Sequence, residues 1–258
     1  MHMRKKDLPI GVFDSGVGGI SVLRCLTRQM PHEDFIYAGD SANAPYGTKS
    51  PEEILNLTLM QTDKLKEQGV KALVIACNTA TSAAISDLRK KYTDMPVIGI
   101  EPALKPATLV KEHPLVLVLA TPATVAGDKF LQQVHRFEHD AVIMPVGCPG
   151  LVEYVEKGQT DTPQVRARVR ELLTPFLAQK PDAVVLGCTH YPFLAGAIRD
   201  VVGEGPAILD GGEGTARHTC HLLEESDLLS DRKRTGQVMF DMSLPGQEAL
   251  CRQLLQDS

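Results

Sequence analysis

The chain has 258 residues, which is enough for two domains of about 100 to 150 residues each. Hydrophobic residues make up 43% and charged residues 23% of the sequence, as in ordinary globular proteins. The net charge of −5 and the absence of tryptophan argue against nucleic-acid binding, which relies on basic and aromatic surfaces. The one short basic stretch, residues 232–234 (RKR), follows Asp227 and Asp231 in the sequence. We interpret it as a solvated loop.

No targeting or membrane segment is predicted. The N-terminus carries basic residues, but the apolar run that follows at residues 8–13 is too short for a signal peptide. No stretch approaches the roughly 18 apolar residues that a membrane helix needs. We therefore expect a cytoplasmic protein without a membrane partner.

The six cysteines are expected to be free thiols, because a reducing compartment does not favour disulfides. The cluster of His218, Cys220 and His221 lacks the spacing of a metal site, so no metal is predicted. Cys25 and Cys251 fall in helical patterns and Cys148 follows a strand, and we expect these three to be structural.

Short, continuously apolar runs alternate with longer amphipathic stretches along the chain. Such runs predict strands that are buried on both faces, and their alternation with helices predicts parallel sheets. In chain order the predicted strands are residues 9–13, 35–38, 72–76, 97–100, 115–119, 141–145, 183–186 and 207–209. The clearest predicted helices are residues 51–68, 80–92, 124–137 and 162–179.

The second half of the chain repeats the pattern of the first. Residues 71–79 (KALVIACNT) and 182–190 (DAVVLGCTH) each combine a buried strand with a cysteine and capping residues, and three further strand segments align at similar offsets. The repeat predicts an α/β fold of two pseudo-symmetric, doubly wound (flavodoxin-like) parallel-sheet domains that face each other across a cleft. The first domain comprises residues 1–101 and 211–258, with a tail predicted to be helical at 213–223 and 247–255. The second comprises residues 102–210.

The two repeated cysteines are the main candidates for chemistry. In open α/β sheets ligands bind at the carboxyl ends of the strands, so Cys77 and Cys188 are expected to enter one cleft from opposite sides. Inversion at a carbon needs a base on one face and an acid on the other, and the reverse reaction exchanges these roles. Thiols suit both roles because their ordinary pKa of about 8.5 lies near neutral pH. A helix beginning directly after each cysteine is expected to favour the thiolate further.

The glycine-rich segment at residues 13–19 (FDSGVGG) follows the first strand. It matches neither a dinucleotide fingerprint nor a phosphate loop. We interpret its glycines as permitting a tight turn and a close approach of backbone to a small anionic ligand. Asp14 in this segment either caps a helix or lies in the cleft.

Four motifs together resemble the glutamate racemase family within the wider aspartate/glutamate racemase group. They are residues 13–19 (FDSGVGG), 45–47 (PYG), 76–80 (ACNTA) and 187–192 (GCTHYP). The resemblance implies interconversion of L- and D-glutamate by 1,1-proton transfer between Cys77 and Cys188, without pyridoxal phosphate or metal. It implies auxiliary roles for Asp14 and His190, and a further acidic residue, Glu153, near the second thiol. The implied substrate-binding residues are Asp14, Ser15, Tyr46, Gly47, Asn78, Thr79, Thr121, Thr189 and His190.

The resemblance also implies a homodimer and a role in supplying D-glutamate for peptidoglycan synthesis. The short N-terminal segment predicts no dependence on a UDP-linked muramyl activator. Three alternatives stay open from the residues themselves: an aspartate or broad-specificity amino-acid racemase, a non-catalytic amino-acid-binding protein with idle thiols, and a protein-interaction role.

Overall fold

The computed structural model describes residues 4–256, so the first three and last two residues of the expected first domain lie outside it. Within this range the strands form two sheets in which every pairing is parallel. The first sheet contains β1 (Ile10–Asp14), β2 (Phe35–Gly39), β3 (Ala72–Ile75), β4 (Val97–Gly99) and β9 (Val238–Met242). The second contains β5 (Leu115–Ala120), β6 (Val142–Gly147), β7 (Ala183–Leu186) and β8 (Ala207–Asp210).

The two sheets share one topology. The first has the order β4-β3-β1-β2-β9 and the second the order β6-β5-β7-β8. Numbered within each half, the first four strands of both follow the order 2-1-3-4, which is a doubly wound arrangement. The predicted two-lobed α/β architecture is therefore confirmed, and β3 and β7, which precede the two cysteines, are equivalent strands.

Helices connect successive strands and cover the sheets. They are α1 (Ile20–Gln29), α2 (Pro51–Glu67), α3 (Asn78–Lys91), α4 (Leu104–Ala107), α5 (Pro122–Ala126), α6 (Asp128–Phe137), α7 (Leu151–Glu156), α8 (Pro163–Leu177), α9 (Ala195–Val202), α10 (Gly212–Glu225) and α11 (Gln247–Gln256). The hydroxyls of Ser50, Thr121 and Thr162 each cap a helix whose first residue is proline. The single helix predicted at residues 124–137 is instead two helices, because Gly127 between them is extended, with ψ of 135°.

The C-terminal tail contains a strand that the sequence pattern did not predict. The predicted tail helices are present as α10 and α11, but β9 lies between them and pairs with β2 at the edge of the first sheet. Four of its five residues are apolar, but Asp241 interrupts the apolar run, and its side chains alternate between half-buried and exposed because β9 is an edge strand. Arg232 and Arg234 of the predicted solvated loop both form ion pairs with Asp34, next to β2.

Apolar packing joins the two lobes. The largest buried cluster extends from Ile10 and Val12 of β1 to Val184 and Leu186 of β7. Two smaller clusters each lie within one lobe. No helix between residues 4 and 256 is long and apolar enough to span a membrane.

Candidate active site

A cavity lies where the carboxyl ends of the two sheets meet. Both lobes contribute to its wall. The first supplies Ser15, Pro45, Tyr46, Gly47, Cys77, Asn78 and Thr79, and the second supplies Thr121, Val152, Cys188, Thr189 and His190. Eight of the nine residues predicted to bind substrate are brought together here, together with both thiols.

Cys77 lies at the end of β3 and caps α3. Its Sγ accepts a hydrogen bond from the backbone N–H of Ala80 at 3.4 Å and lies 3.4 Å from the hydroxyl of Ser15. Burial and the nearby charge of Asp14 nevertheless raise the pKa of Cys77 to about 12. The N–H of Ala80 at the start of α3 lowers the pKa of Cys77, in the direction expected from the sequence, but desolvation outweighs this effect.

Cys188 lies at the end of β7 in different surroundings. No helix begins directly after it; a turn and a short 3-10 helix at Tyr191–Leu194 intervene before α9, which contradicts the sequence prediction. Its Sγ lies 3.7 Å from Nδ1 of His190 instead. The two thiols thus have unlike partners, a capped helix at Cys77 and an imidazole at Cys188.

His190 is held as an imidazolium by two acidic neighbours. Burial alone would lower its pKa, but the hydrogen bonds with Cys188 and Glu156 raise the pKa of His190 well above its ordinary value. Its Nε2 lies 2.7 Å from Oε1 of Glu156, and only 2% of the imidazole side chain is exposed. This chain of groups, Glu156–His190–Cys188, forms the second arm of the site.

The acidic residue beside the second thiol is Glu156 and not Glu153, which corrects the sequence prediction. Glu153 lies on the exposed face of α7, whereas Glu156 lies one turn later and faces His190. Helical spacing identifies Glu156, because it follows Val152 by four residues and therefore lies on the same face of α7. Val152 lines the cavity. The hydrogen bonds to Glu156 lower the pKa of its carboxyl despite burial.

Glu156 also joins the two lobes. Its Oε1 accepts from the backbone N–H of Val17 at 2.7 Å, and its Oε2 accepts from the hydroxyl of Ser41 at 2.8 Å. Both donors belong to the first lobe, whereas Glu156 and His190 belong to the second. The first lobe therefore holds the carboxylate of Glu156 in place, and with it the second arm.

Asp14 lies behind the wall of the cavity and is fully buried. Its Oδ2 accepts from the N–H of Gly16, and its Oδ1 accepts from the hydroxyl of Thr189. Burial raises the pKa of its carboxyl. This placement favours a role in which Asp14 orients the hydroxyl of Thr189 and raises the pKa of Cys77. The sequence predicted a direct contact between Asp14 and the substrate instead.

The glycines of the segment at residues 13–19 make room for side chains of the other lobe. A Cβ on Gly16 would lie within bonding distance of the Glu156 carboxylate, and one on Gly18 would lie 2.3 Å from Nδ1 of His190. Neither glycine has a positive φ. The segment bends and turns as predicted, and the close packing of the second arm is a further reason for these glycines.

Threonine hydroxyl groups from both lobes contact one another beside the cavity. The hydroxyl oxygens of Thr79, Thr121 and Thr124 lie 3.0 Å from one another. Thr79 is in the first turn of α3, so these donors lie near a helix N-terminus, which attracts carboxylates. The carboxamide oxygen of Asn78, beside them, is buried without a hydrogen-bond partner, and it is available to a bound molecule.

Tyr46 forms another part of the wall. Its hydroxyl donates to Oδ2 of Asp40 at 2.7 Å, and its ring packs near Phe13 at the end of β1. A Cβ on the following residue, Gly47, would lie 2.6 Å from the Cβ of Thr121. Because Gly47 has no side chain, its backbone can approach Thr121 of the second lobe closely.

The cysteines outside the cavity are free thiols, as are Cys77 and Cys188. Cys25, Cys148 and Cys251 are buried, and desolvation raises the pKa of each above its ordinary value. In the part of the chain that the structure describes, no group of three or more His, Cys, Asp and Glu side chains is arranged to hold a metal ion.

Comparison with known proteins agrees with this geometry. Residues 10–219 match the Asp/Glu/hydantoin racemase family. The chain is similar to the glutamate racemase of Clostridium perfringens, with 46% identity over 245 residues that cover 95% of this chain and 94% of that protein. It is 45% identical to the glutamate racemase of Clostridium acetobutylicum over 248 residues, 96% of each chain.

Solved structures show the same similarity in three dimensions. The glutamate racemase of Francisella tularensis in complex with D-glutamate superposes with a TM-score of 0.85 at 31% identity, over 98% of this chain and 95% of that one. The Escherichia coli glutamate racemase in complex with L-glutamate and the activator UDP-MurNAc-ala gives a TM-score of 0.83 at 34% identity, over 94% and 92% of the two chains. Sequence, fold and cavity agree, and the chain belongs to the Asp/Glu/hydantoin racemase family.

Proposed function

We propose that this protein interconverts L- and D-glutamate by proton transfer at the α-carbon, with Cys77 and Cys188 as the two acid/base groups. The observation that carries the proposal is the position of the thiols. They follow equivalent strands, β3 and β7, of two opposed lobes and line the same cavity. A flat intermediate held between them is open to one thiol on each face.

The reaction balances with these two groups alone. The thiolate of one cysteine removes the α-proton, and the electron pair left on the α-carbon delocalises into the substrate carboxylate. The thiol of the other cysteine then delivers a proton to the opposite face and becomes a thiolate, ready for the reverse direction. Each turnover therefore moves one proton from substrate to protein and one from protein to substrate.

The surroundings of the two thiols differ. Burial and the charge of Asp14 raise the pKa of Cys77 to about 12. Nδ1 of His190 lies 3.7 Å from Sγ of Cys188. Which cysteine acts as the base depends on which enantiomer is bound, so both directions of the reaction use the same pair.

The substrate carboxylates meet donors at the lobe interface. The hydroxyls of Thr79 and Thr121 and the N-terminus of α3 suit an anion, and the hydroxyl of Thr189 is already oriented by Asp14. We further propose, from the relatives, that the D-glutamate formed serves peptidoglycan synthesis. The cytoplasmic setting predicted from the sequence and the homodimer implied by the resemblance belong to the same proposal.

The decisive experiment follows optical rotation and α-deuterium incorporation in deuterated water, with L- and D-glutamate and with both aspartate enantiomers. We expect racemisation and α-exchange of glutamate and not of aspartate. Exchange of aspartate at a comparable rate would identify a broader racemase. No α-exchange with any amino acid would leave a binding protein with idle thiols and would end the proposal.

Replacing Glu156 by glutamine is expected to shift the alkaline limit of the pH profile of kcat to lower pH. The carboxylate raises the pKa of His190, so its loss lowers that pKa and the imidazolium disappears at lower pH. At pH 8 we expect a loss of about 10²-fold in kcat, the low end of what a positioned acid/base group contributes. The pH profile of kcat measures this shift.

Glu153→Gln is the matched control, since it makes the same change on the exposed face of the same helix. It is expected to keep the wild-type profile. A wild-type profile for Glu156→Gln, or an equal loss in Glu153→Gln, would contradict the assignment of Glu156.

A further inference from the structure

The backbone carbonyl of Glu156 is held by a residue from the far end of the chain. Glu156 is the last residue of α7, where helix carbonyls lack partners within the helix. The carbonyls of Tyr154 and Val155 accept from the N–H groups that follow the helix. The carbonyl of Glu156 accepts instead from Nε2 of Gln247 at 3.2 Å. Gln247 is the first residue of α11.

A second contact places α11 directly against this turn. Gly158 follows α7 with a positive φ of 70°, and a Cβ there would lie 3.3 Å from Cδ1 of Leu250. The end of α7 therefore lies against the first turns of α11, joined to it by one hydrogen bond and leaving little room for a side chain at residue 158.

The rest of α11 is anchored in the first lobe. It packs against α1 and β9, and its buried residues Cys251 and Leu254 belong to the shared apolar core. The Sγ of Cys251 lies 3.7 Å from the Sδ of Met242 in β9. Gln247 thus extends from an element fixed to the first lobe to a helix that belongs to the second.

We propose that Gln247 is a positioning residue for the Glu156–His190–Cys188 arm, a role that rests on the proposed function of that arm. Its hydrogen bond fixes the helix end from which the Glu156 side chain extends. The carboxylate is held by Val17 and Ser41 and the carbonyl by Gln247, so the first lobe fixes Glu156 at both ends. A small displacement of this residue moves His190 away from Cys188, and proton transfer is sensitive to such displacements.

The test compares Gln247→Met with Gln247→Lys. Methionine has a similar length and no donor, whereas lysine restores an N–H donor that reaches the same carbonyl. For Gln247→Met we expect kcat for glutamate to fall roughly fivefold, the rate equivalent of one neutral hydrogen bond, with KM and the melting temperature nearly unchanged. Gln247→Lys is expected to recover most of kcat.

Gln253→Met is the matched control, because Gln253 lies on the exposed face of the same helix. It is expected to keep wild-type kcat. In the Glu156→Gln background, Gln247→Met should reduce kcat little further, because both substitutions act through the Glu156–His190–Cys188 arm. Wild-type kcat for Gln247→Met, an equal loss in Gln253→Met or full additivity with Glu156→Gln would overturn the proposal. If the proposed function itself fails, the wild-type protein does not racemise glutamate at all, which is a distinguishable result.

Discussion

Replacing Cys77 or Cys188 by alanine is expected to reduce racemisation of glutamate by at least about 10²- to 10⁴-fold, because each thiol carries the proton on its own face of the substrate. Neither neighbour substitutes for it. Ser15 beside Cys77 has a hydroxyl of much higher pKa than a thiol, and the imidazole of His190 is held by Glu156. Circular dichroism of each glutamate enantiomer measures the loss.

Deuterium exchange makes the same variants more informative. A protein with one thiol still removes the α-proton of the enantiomer that faces it, so each variant should exchange one enantiomer without inverting it. The two variants should exchange opposite enantiomers. Cys25→Ala is the matched control, since Cys25 is buried but lies in α1 away from the cavity, and it should keep wild-type activity. Racemisation near the wild-type rate in either Cys77→Ala or Cys188→Ala would refute the two-thiol mechanism.

Replacing Gly18 by alanine should reduce kcat by about 10²-fold, although it changes neither thiol, because misplacement of a catalytic group by about 1 Å costs this much. The new Cβ would lie 2.3 Å from Nδ1 of His190 and 2.7 Å from its Cγ. The imidazole is buried and bound to Glu156, so it moves only by leaving Cys188 or by separating the lobes. Steady-state kinetics together with thermal unfolding measures the effect and checks the fold.

A double-mutant cycle shows whether Gly18 acts through the imidazole. His190→Ala removes the ring that the new methyl group would contact, so Gly18→Ala should cost little further activity in that background. Gly214→Ala is the control, because Gly214 lies in α10 and a Cβ there meets no atom within 4 Å. If Gly18→Ala keeps wild-type kcat, the close packing at His190 does not matter for the reaction. If Gly18→Ala reduces kcat by the same factor in the wild-type and His190→Ala backgrounds, the effect does not act through the imidazole.

The position of the two thiols could be predicted from the sequence because its signals are local. A continuously apolar run predicts a strand buried on both faces, and the cysteine directly after it lies at the carboxyl end of that strand. The repeat of this pattern at Cys77 and Cys188 then predicts two such ends in one cleft. The edge strand β9 was not predicted, because Asp241 interrupts its apolar run after residues 238–240.

The identity of the acidic residue in the second arm shows where local reasoning stopped. Both Glu153 and Glu156 lie on α7, and resemblance pointed to the first of them. Helical spacing from Val152 favours the second, but only once the face of α7 that meets the cavity is known. That face is chosen by contacts with Val17 and Ser41, which are 139 and 115 positions away in the sequence.

The sequence by itself determined the two-lobed α/β architecture, the order of its first eight strands along the chain and the paired placement of Cys77 and Cys188. These follow from hydrophobic patterns and an internal repeat, which depend on neighbouring residues. Only the tertiary structure decided that Cys77 is a thiol with a raised pKa, that Cys188 has an imidazolium as its partner, and that the glycines at residues 16 and 18 leave space for the opposite lobe. These properties depend on desolvation and on contacts between lobes, which arise when residues far apart in the sequence pack together.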